Sequence, residues 1–314
     1  MQAFYSDHFV LPLPDGHRFP MAKYRLLRER VAAGLPAVRL AEAEAASDGV
    51  LALAHDPDYI DRVSQGRLTA AEQRAVGFPW SPRMVERSRR STGATIAACR
   101  AALAEGVGVN LAGGTHHAFA DRGQGYCVFN DAAVAARLLQ AEAGRRQRRL
   151  MQVAIVDLDV HQGNGTAAIL AHDPSVFTLS IHGDKNFPFR KERSDLDVAL
   201  PDGTADDAYL AALDDALARL AQRFRVDFLI YLAGADAHEG DRLGKLCLTR
   251  AGMRARDERV FDFARAQRVP VAVAMAGGYG SSIEVTADVH FNTVAAACAH
   301  WERVARTWPQ GAVA

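Results

Sequence analysis

Cysteine is scarce in this chain: four residues, Cys99, Cys127, Cys247 and Cys298, with no C-x-x-C spacing. That excludes a disulfide frame and a cysteine-built zinc site, and reduced thiols in a cytoplasmic protein are expected. Charge of one sign is not in excess either, since Lys plus Arg and Asp plus Glu both total 37. No global field then steers the molecule toward nucleic acid or an acidic membrane, and no nucleic-acid partner is expected. No stretch reaches about 18 consecutive apolar residues, and Met1-Gln-Ala-Phe-Tyr-Ser-Asp has neither a basic region nor an apolar core of signal length. Neither a membrane span nor export is expected. A Pro/Gly/Ser linker, a low-complexity tract and an internal repeat are also missing, so residues 1–314 are expected to form a single catalytic domain. The sequence specifies no oligomeric state.

What is present is alternation. Apolar β-branched runs predict strands at 108–113, 153–159, 176–182, 226–234 and 269–276. Helical patterns fall between them at 131–142, 166–171, 206–224 and 249–268, with a helical tail from Val289. Upstream, helices are predicted from Pro20, from Asp56-Pro57 and over Pro82 to Glu105. Such alternation implies βαβ units and an α/β fold of three layers, a mainly parallel central sheet flanked by helices. Two arginine clusters, Arg83/Arg87/Arg89/Arg90 and Arg145/Arg146/Arg148/Arg149, read as solvated surface, as do His17 and Arg18 in their loop.

In open sheets of this kind ligands gather outside the carboxyl ends of the strands. Every unusual cluster lies there. The 108 strand runs into Gly113-Gly-Thr-His116-His117, the 153 strand into Asp157-Leu-Asp159-Val-His161, the 226 strand into Gly234-Ala-Asp236 and the 269 strand into Gly277-Gly-Tyr279. Taken singly, Asp236 would be a helix cap, the glycines a turn and the histidine pair a coincidence. Four such accidents would not all fall at one end of successive strands.

Alternate residues of an extended chain share a face, so Asp157, Asp159 and His161 can converge if the extended geometry persists that far. Ionised carboxylates are not left buried without a compensating cation, and a divalent metal is the obvious one. Asp159, His161 and Asp236 form a three-ligand set with a position left for water, suited to zinc and also to iron(II) or cobalt. With a histidine as general base and Tyr279 as hydrogen-bond donor to an oxyanion, the chemistry is metal-assisted hydrolysis of an amide or ester.

These four ordered segments, together with His161-Gln-Gly-Asn-Gly165, resemble the zinc-dependent histone deacetylases of the arginase/deacetylase fold, and most of all their class IV branch. The resemblance implies an enzyme that removes acyl groups from acyl-lysine, or from an acylated polyamine. It implies that Asp159, His161 and Asp236 hold the zinc and that His116 and His117 are the tandem histidines, with His117 the base and proton donor. Asp157 would orient His116 and share a monovalent-cation (K+) site near Ser180. Tyr279 would polarise the scissile carbonyl, and Gly125, Tyr126, Leu243 and Phe187 would line the acyl-lysine tunnel. Arg18 would fall at the mouth of an internal cavity. One departure is Asn164, where many relatives carry Asp; an amide brings no negative charge, so a less basic His117 is expected.

Three rival readings compete. Gly163-Asn-Gly165-Thr-Ala-Ala168, with Asp184 downstream, has the spacing of a dinucleotide fingerprint, but Asp157 and Asp159 would meet the pyrophosphate. A metal-loaded but inactive reader of acyl-lysine would not need both histidines and the tyrosine. An arginase needs a second metal, which Ala235 and His238 do not provide.

Overall fold

The computed structural model describes residues 1–144, 149–305 and 308. Among them the strands are β1 (Gln2–Tyr5), β2 (Arg39–Glu42), β3 (Val107–Asn110), β4 (Val153–Asp157), β5 (Val176–Gly183), β6 (Leu196–Leu200), β7 (Phe228–Leu232) and β8 (Val271–Ala274). The helices are α1 (Ala22–Gly34), α2 (Asp48–Leu51), α3 (Pro57–Ser64), α4 (Ala70–Val76), α5 (Pro82–Glu105), α6 (Asp131–Gly144), α7 (Asn164–Leu170), α8 (Asp206–Arg223), α9 (Arg250–Gln267) and α10 (Ile283–Val304). The strands form one sheet in the order β2-β1-β3-β8-β7-β4-β5-β6, and every neighbouring pair is parallel.

The inner strands are buried on both faces, which is why they read as unbroken apolar runs. Along β7, Phe228, Ile230 and Leu232 pack into one apolar layer with α5 and α6, while Leu229 and Tyr231 pack into the other with α8, α9 and α10. The side-chain period of two thus divides each strand between two cores. The long helices carry their own start signals. Ser81 accepts from the Met84 amide with Pro82 in the first turn of α5, and Thr249 accepts from Gly252 at the head of α9.

Several elements differ from expectation. β1 and β6 were not predicted: each is short, and each exists because a neighbouring strand pairs with it, β3 in one case and β5 in the other. β4 stops at Asp157 instead of continuing to Asp159, so Asp159 and His161 stand on the loop beyond it. Backbone carboxylate bonds hold that loop: Asp157 Oδ1 accepts from the Asp159 amide (3.1 Å) and Asp236 Oδ1 from Val160 (2.9 Å). The first arginine cluster is not simply solvated. Arg87 is buried, and Arg89 and Arg90 donate to the Ala46 and Ala43 carbonyls. Arg145, Arg146 and Arg148 lie outside the described residues, while Arg149 pairs with Asp227 at 2.5 Å. Among the described residues no helix is long and apolar enough to cross a membrane.

Candidate metal centre and active site

β3, β8, β7 and β4 are consecutive in the sheet, so the four predicted clusters emerge side by side from their carboxyl ends. Asp159, His161 and Asp236 are buried, and each offers a ligand atom within 4.8 Å of the others. His161 Nδ1 lies 2.9 Å from Asp159 Oδ1 and 3.2 Å from Asp236 Oδ2. Asp159 Oδ2 accepts from the Gly277 amide at 2.7 Å, but Asp236 Oδ2 is buried without a hydrogen bond. Burial and the Asp159 charge both push the Asp236 carboxyl upward, a cost that a bound cation removes. Space for an ion is kept by glycine: a Cβ on Gly277 would sit 2.0 Å from Asp236 Oδ2, and one on Gly234 2.6 Å from Asp159 Oδ2. The donor set, the orphaned oxygen and this cradle fit one divalent metal. Among the described residues it is the single cluster of this kind.

The two histidines sit with ring centroids 4.1 Å apart but have unlike partners. His116 Nδ1 meets Asp157 Oδ2 at 2.6 Å, and His117 Nδ1 meets Asn164 Oδ1 at 2.7 Å. Asn164 in turn donates through Nδ2 to Gln124 Oε1 (2.8 Å), so its oxygen faces His117 and that ring carries its proton on Nδ1. Burial works against charge on His116, yet the Asp157 and Asp159 carboxylates outweigh it and hold the ring at about 9. Burial puts His117 well below the usual imidazole range, the neighbouring His116 and His161 push it lower still, and the Asn164 amide opposes them only through a hydrogen bond.

The glycines of the dinucleotide-like segment have another explanation. A Cβ on Gly165 would lie 2.2 Å from the Ala118 carbonyl, and one on Gly163 2.3 Å from Asp157 Oδ2. They admit the histidine segment, not a pyrophosphate.

Tyr279 is buried near the two histidine-bearing loops, its ring 6.4 Å from that of His161. Burial first, then Asp159, raises its hydroxyl well above the ordinary range, so it keeps its proton. Three residues that sequence reasoning missed hold it. Asp241 Oδ2 accepts from the Tyr279 amide (2.5 Å) while its Oδ1 accepts from Leu243 and Gly244. Arg242 Nε donates to the Tyr279 carbonyl, and buried Lys23 donates to the Ala276 and Gly278 carbonyls with its ammonium 5.4 Å from the tyrosine ring. Asp131 was missed as well: it accepts from the Gly114 and Thr115 amides and so sets the turn before His116. Asp241 stands two residues before Leu243 in Gly240-Asp-Arg-Leu-Gly, a polar turn that sequence reasoning could have picked out; Lys23 gave no signal, being one of several charges on a helix.

His117, His161 and Tyr279 form the floor of a cavity of about 560 Å³. Gly125, Tyr126, Phe187 and Leu243 line its walls. Gly125 has φ +54 and a Cβ there would strike His117 at 2.7 Å, so this wall can only be glycine. Tyr126 packs on Phe19, Phe78 and Tyr279, and Phe187 stands edge-on to His117 at 5.0 Å. A second, smaller cavity lies behind, lined by His116, Asp159 and Arg87. Arg18 is exposed and does not line it; the guanidinium there belongs to Arg87, stacked on Tyr24 at 4.9 Å. Asp157 is paired in register with Ser180, whose Oγ lies 3.0 Å from His182 Nδ1.

A parallel sheet whose adjacent strand ends present a buried Asp–His–Asp set, two histidines and a tyrosine at the foot of a lined cavity defines a metal-dependent amide hydrolase. Residues 17–294 match the histone deacetylase domain family, and the chain belongs to that family. It is 43% identical over 281 residues to an uncharacterized protein of Picosynechococcus, covering 89% of this chain and 92% of that one. It is 31% identical to a histone deacetylase-like amidohydrolase of Pseudomonas aeruginosa (86% and 74% covered) and 34% identical to histone deacetylase 2 of Arabidopsis thaliana, of which it spans 63%. The fold is that of a crystallised histone deacetylase homologue complexed with SAHA, at a TM-score of 0.78 and 22% identity over 96% of this chain and 83% of that one.

Proposed function

We propose that this protein is a zinc-dependent, single-domain, cytoplasmic deacylase of the class IV kind, hydrolysing the side-chain amide of acyl-lysine. The observation that carries this reading is the convergence of Asp159, His161 and Asp236 beside Tyr279 and His117 at the base of one narrow cavity. Asp159, His161 and Asp236 would hold the metal, which would supply Lewis-acid polarisation of the amide carbonyl and would lower the pKa of water toward ~7.

The rest falls to the chain's own groups. His117, with Nδ1 tied to Asn164, has Nε2 free to take the water's proton and then deliver it to the leaving amine as the C–N bond breaks. His116, kept charged by Asp157, steadies the negative charge that develops and does not itself release a proton. Tyr279 donates its hydroxyl proton to the oxyanion as a hydrogen bond. Gly125, Tyr126, Phe187 and Leu243 receive the linear alkyl stem of lysine. Asp157 with Ser180 would hold a monovalent cation such as K+.

The test is acid release by metal-loaded protein from acyl-lysine peptides of graded chain length, assayed beside acetylated polyamines. Release from the peptides, abolished by chelation and restored by zinc more than by iron(II) or cobalt, is expected. If replete protein frees no acid from any of them, the site is a binding module instead.

A further inference from the structure

The cavity's mouth carries charge of one sign. Arg74, Lys185 and Lys245 line it together with uncharged residues, and no carboxylate does. In a chain whose charges balance at 37 against 37, this is a local excess. All three are exposed. Arg74 and Lys185 have no ion-pair or hydrogen-bond partner among the described residues, and Lys245 reaches only the half-exposed Asp202 at 3.9 Å.

The three cations come from separate segments, and each segment is stitched to a wall of the cavity. Arg74 is in the last turn of α4, whose end accepts from the wall: Ala75 O from the Gly125 amide (2.9 Å) and Val76 O from Tyr126 (2.7 Å). Buried Asn186, next to Lys185, donates to the Leu243 carbonyl (2.7 Å) and accepts from the Lys245 amide (3.2 Å). Lys191 closes the Lys185 loop by donating to the Asp184, Asn186 and Pro188 carbonyls. The helix-end field accounts for a cation at Arg74, but not for the two lysines. Beside them Phe189 is 90% exposed, an aromatic face at the rim.

Resting on the deacylase reading above, we infer that the acylated lysine served by this site lies in a polypeptide whose flanking residues are acidic. A lysine buried to its amide in the cavity leaves its chain neighbours at the mouth that these three cations line, where charge is felt over about one Debye length, ~10 Å at 0.1 M salt. Asp or Glu at those neighbours is attracted, and Lys or Arg is repelled. An acylated polyamine would leave its remaining ammonium groups in the same field, so the basic mouth selects against it.

The experiment uses zinc-loaded full chain and acetyl-lysine peptides identical except for flanks of Asp/Glu, Gln/Ser or Lys/Arg, with acetylspermidine alongside. Binding is read by fluorescence anisotropy and turnover by acetate release. We expect the acidic peptide to exceed the basic one by about tenfold in both binding and kcat/KM at low salt, with acetylspermidine at the bottom. The ratio should shrink toward one between roughly 20 mM and 500 mM salt, a measurement on the native chain alone. Lys185→Glu with Lys245→Glu should invert the order. Equal turnover of the three peptides, or a preference that salt does not weaken, overturns the inference and leaves the deacylase reading intact. Tighter binding of the acidic peptide with no acetate released from any peptide supports the mouth's selectivity and overturns the hydrolase.

Discussion

The floor of the cavity and its mouth treat charge in opposite ways. At the floor Asp157, Asp159 and Asp236 are buried together, and all their oxygens but one are answered by an amide or an imidazole. At the mouth three cations stand in water, two of them answered by nothing among the described residues. Buried charge left unmatched costs several kcal/mol, so the floor had to be completed within the chain and the ion it holds. Exposed charge is matched by solvent at little cost, and exposed pairs such as Lys245 with Asp202 contribute about 0–1 kcal/mol. The floor's charges are therefore fixed by folding and the mouth's are available to a partner.

Removing one floor ligand should have the largest effect. Asp236→Ala takes away the orphaned oxygen and the partner of His161, and should strip the metal and lower turnover at least about a thousandfold, the rate equivalent of roughly 4 kcal/mol. Elemental analysis beside acetate release reads both. A variant that kept one metal per chain and native turnover would show that the three-ligand set is misassigned.

Tyr279→Phe comes next. It deletes one hydroxyl and leaves the ring's packing on Tyr126 and Phe19 and the backbone bonds to Asp241 and Arg242 in place. A lost oxyanion donor lowers kcat about 100- to 1000-fold with KM little changed. If kcat stays within about threefold, the hydroxyl is not at the reacting carbonyl.

The sequence disclosed the floor far better than the mouth, for a physical reason. Floor residues sit directly after strands that are apolar on both faces, so Asp157, Asp159 and Asp236 stood out against their runs, and the alternation of strands with helices put them at one sheet edge. What propagates through pairing or long-range contact did not show. β1 and β6 depend on their neighbours, and Lys23 and Arg87 look like surface charges on α1 and α5 until the tertiary fold buries them. Arg74, Lys185 and Lys245 are 60 to 171 positions apart from one another in the chain, and no local pattern links them. The resemblance implies Arg18 at the mouth of the inner cavity, but Arg18 stays exposed in its loop and the helix α5 supplies Arg87 there.

A smaller effect separates the interior from the mouth through pH. His55 is buried, with Nδ1 at the Phe119 carbonyl (2.9 Å) and Nε2 accepting from the Asn130 amide (2.8 Å), and burial lowers it from 6.5 to about 4. Between those values the unfolded chain binds a proton that the folded one refuses. Its contribution is therefore complete above about pH 6.5 and is lost as pH falls toward 4, roughly 2 kcal/mol by about pH 5. His300, buried against Phe261 and likewise held at about 4 by burial, acts with the same sign. Urea unfolding at about pH 7.5 and 5 should show the fall, and His55→Gln should flatten it. A slope that His55→Gln leaves unchanged would move the acid sensitivity to His300 and His182, which burial also holds at about 4. The mouth's preference for acidic flanks should persist to about pH 5 in protein that remains folded, because the peptide's carboxylates are still ionised there.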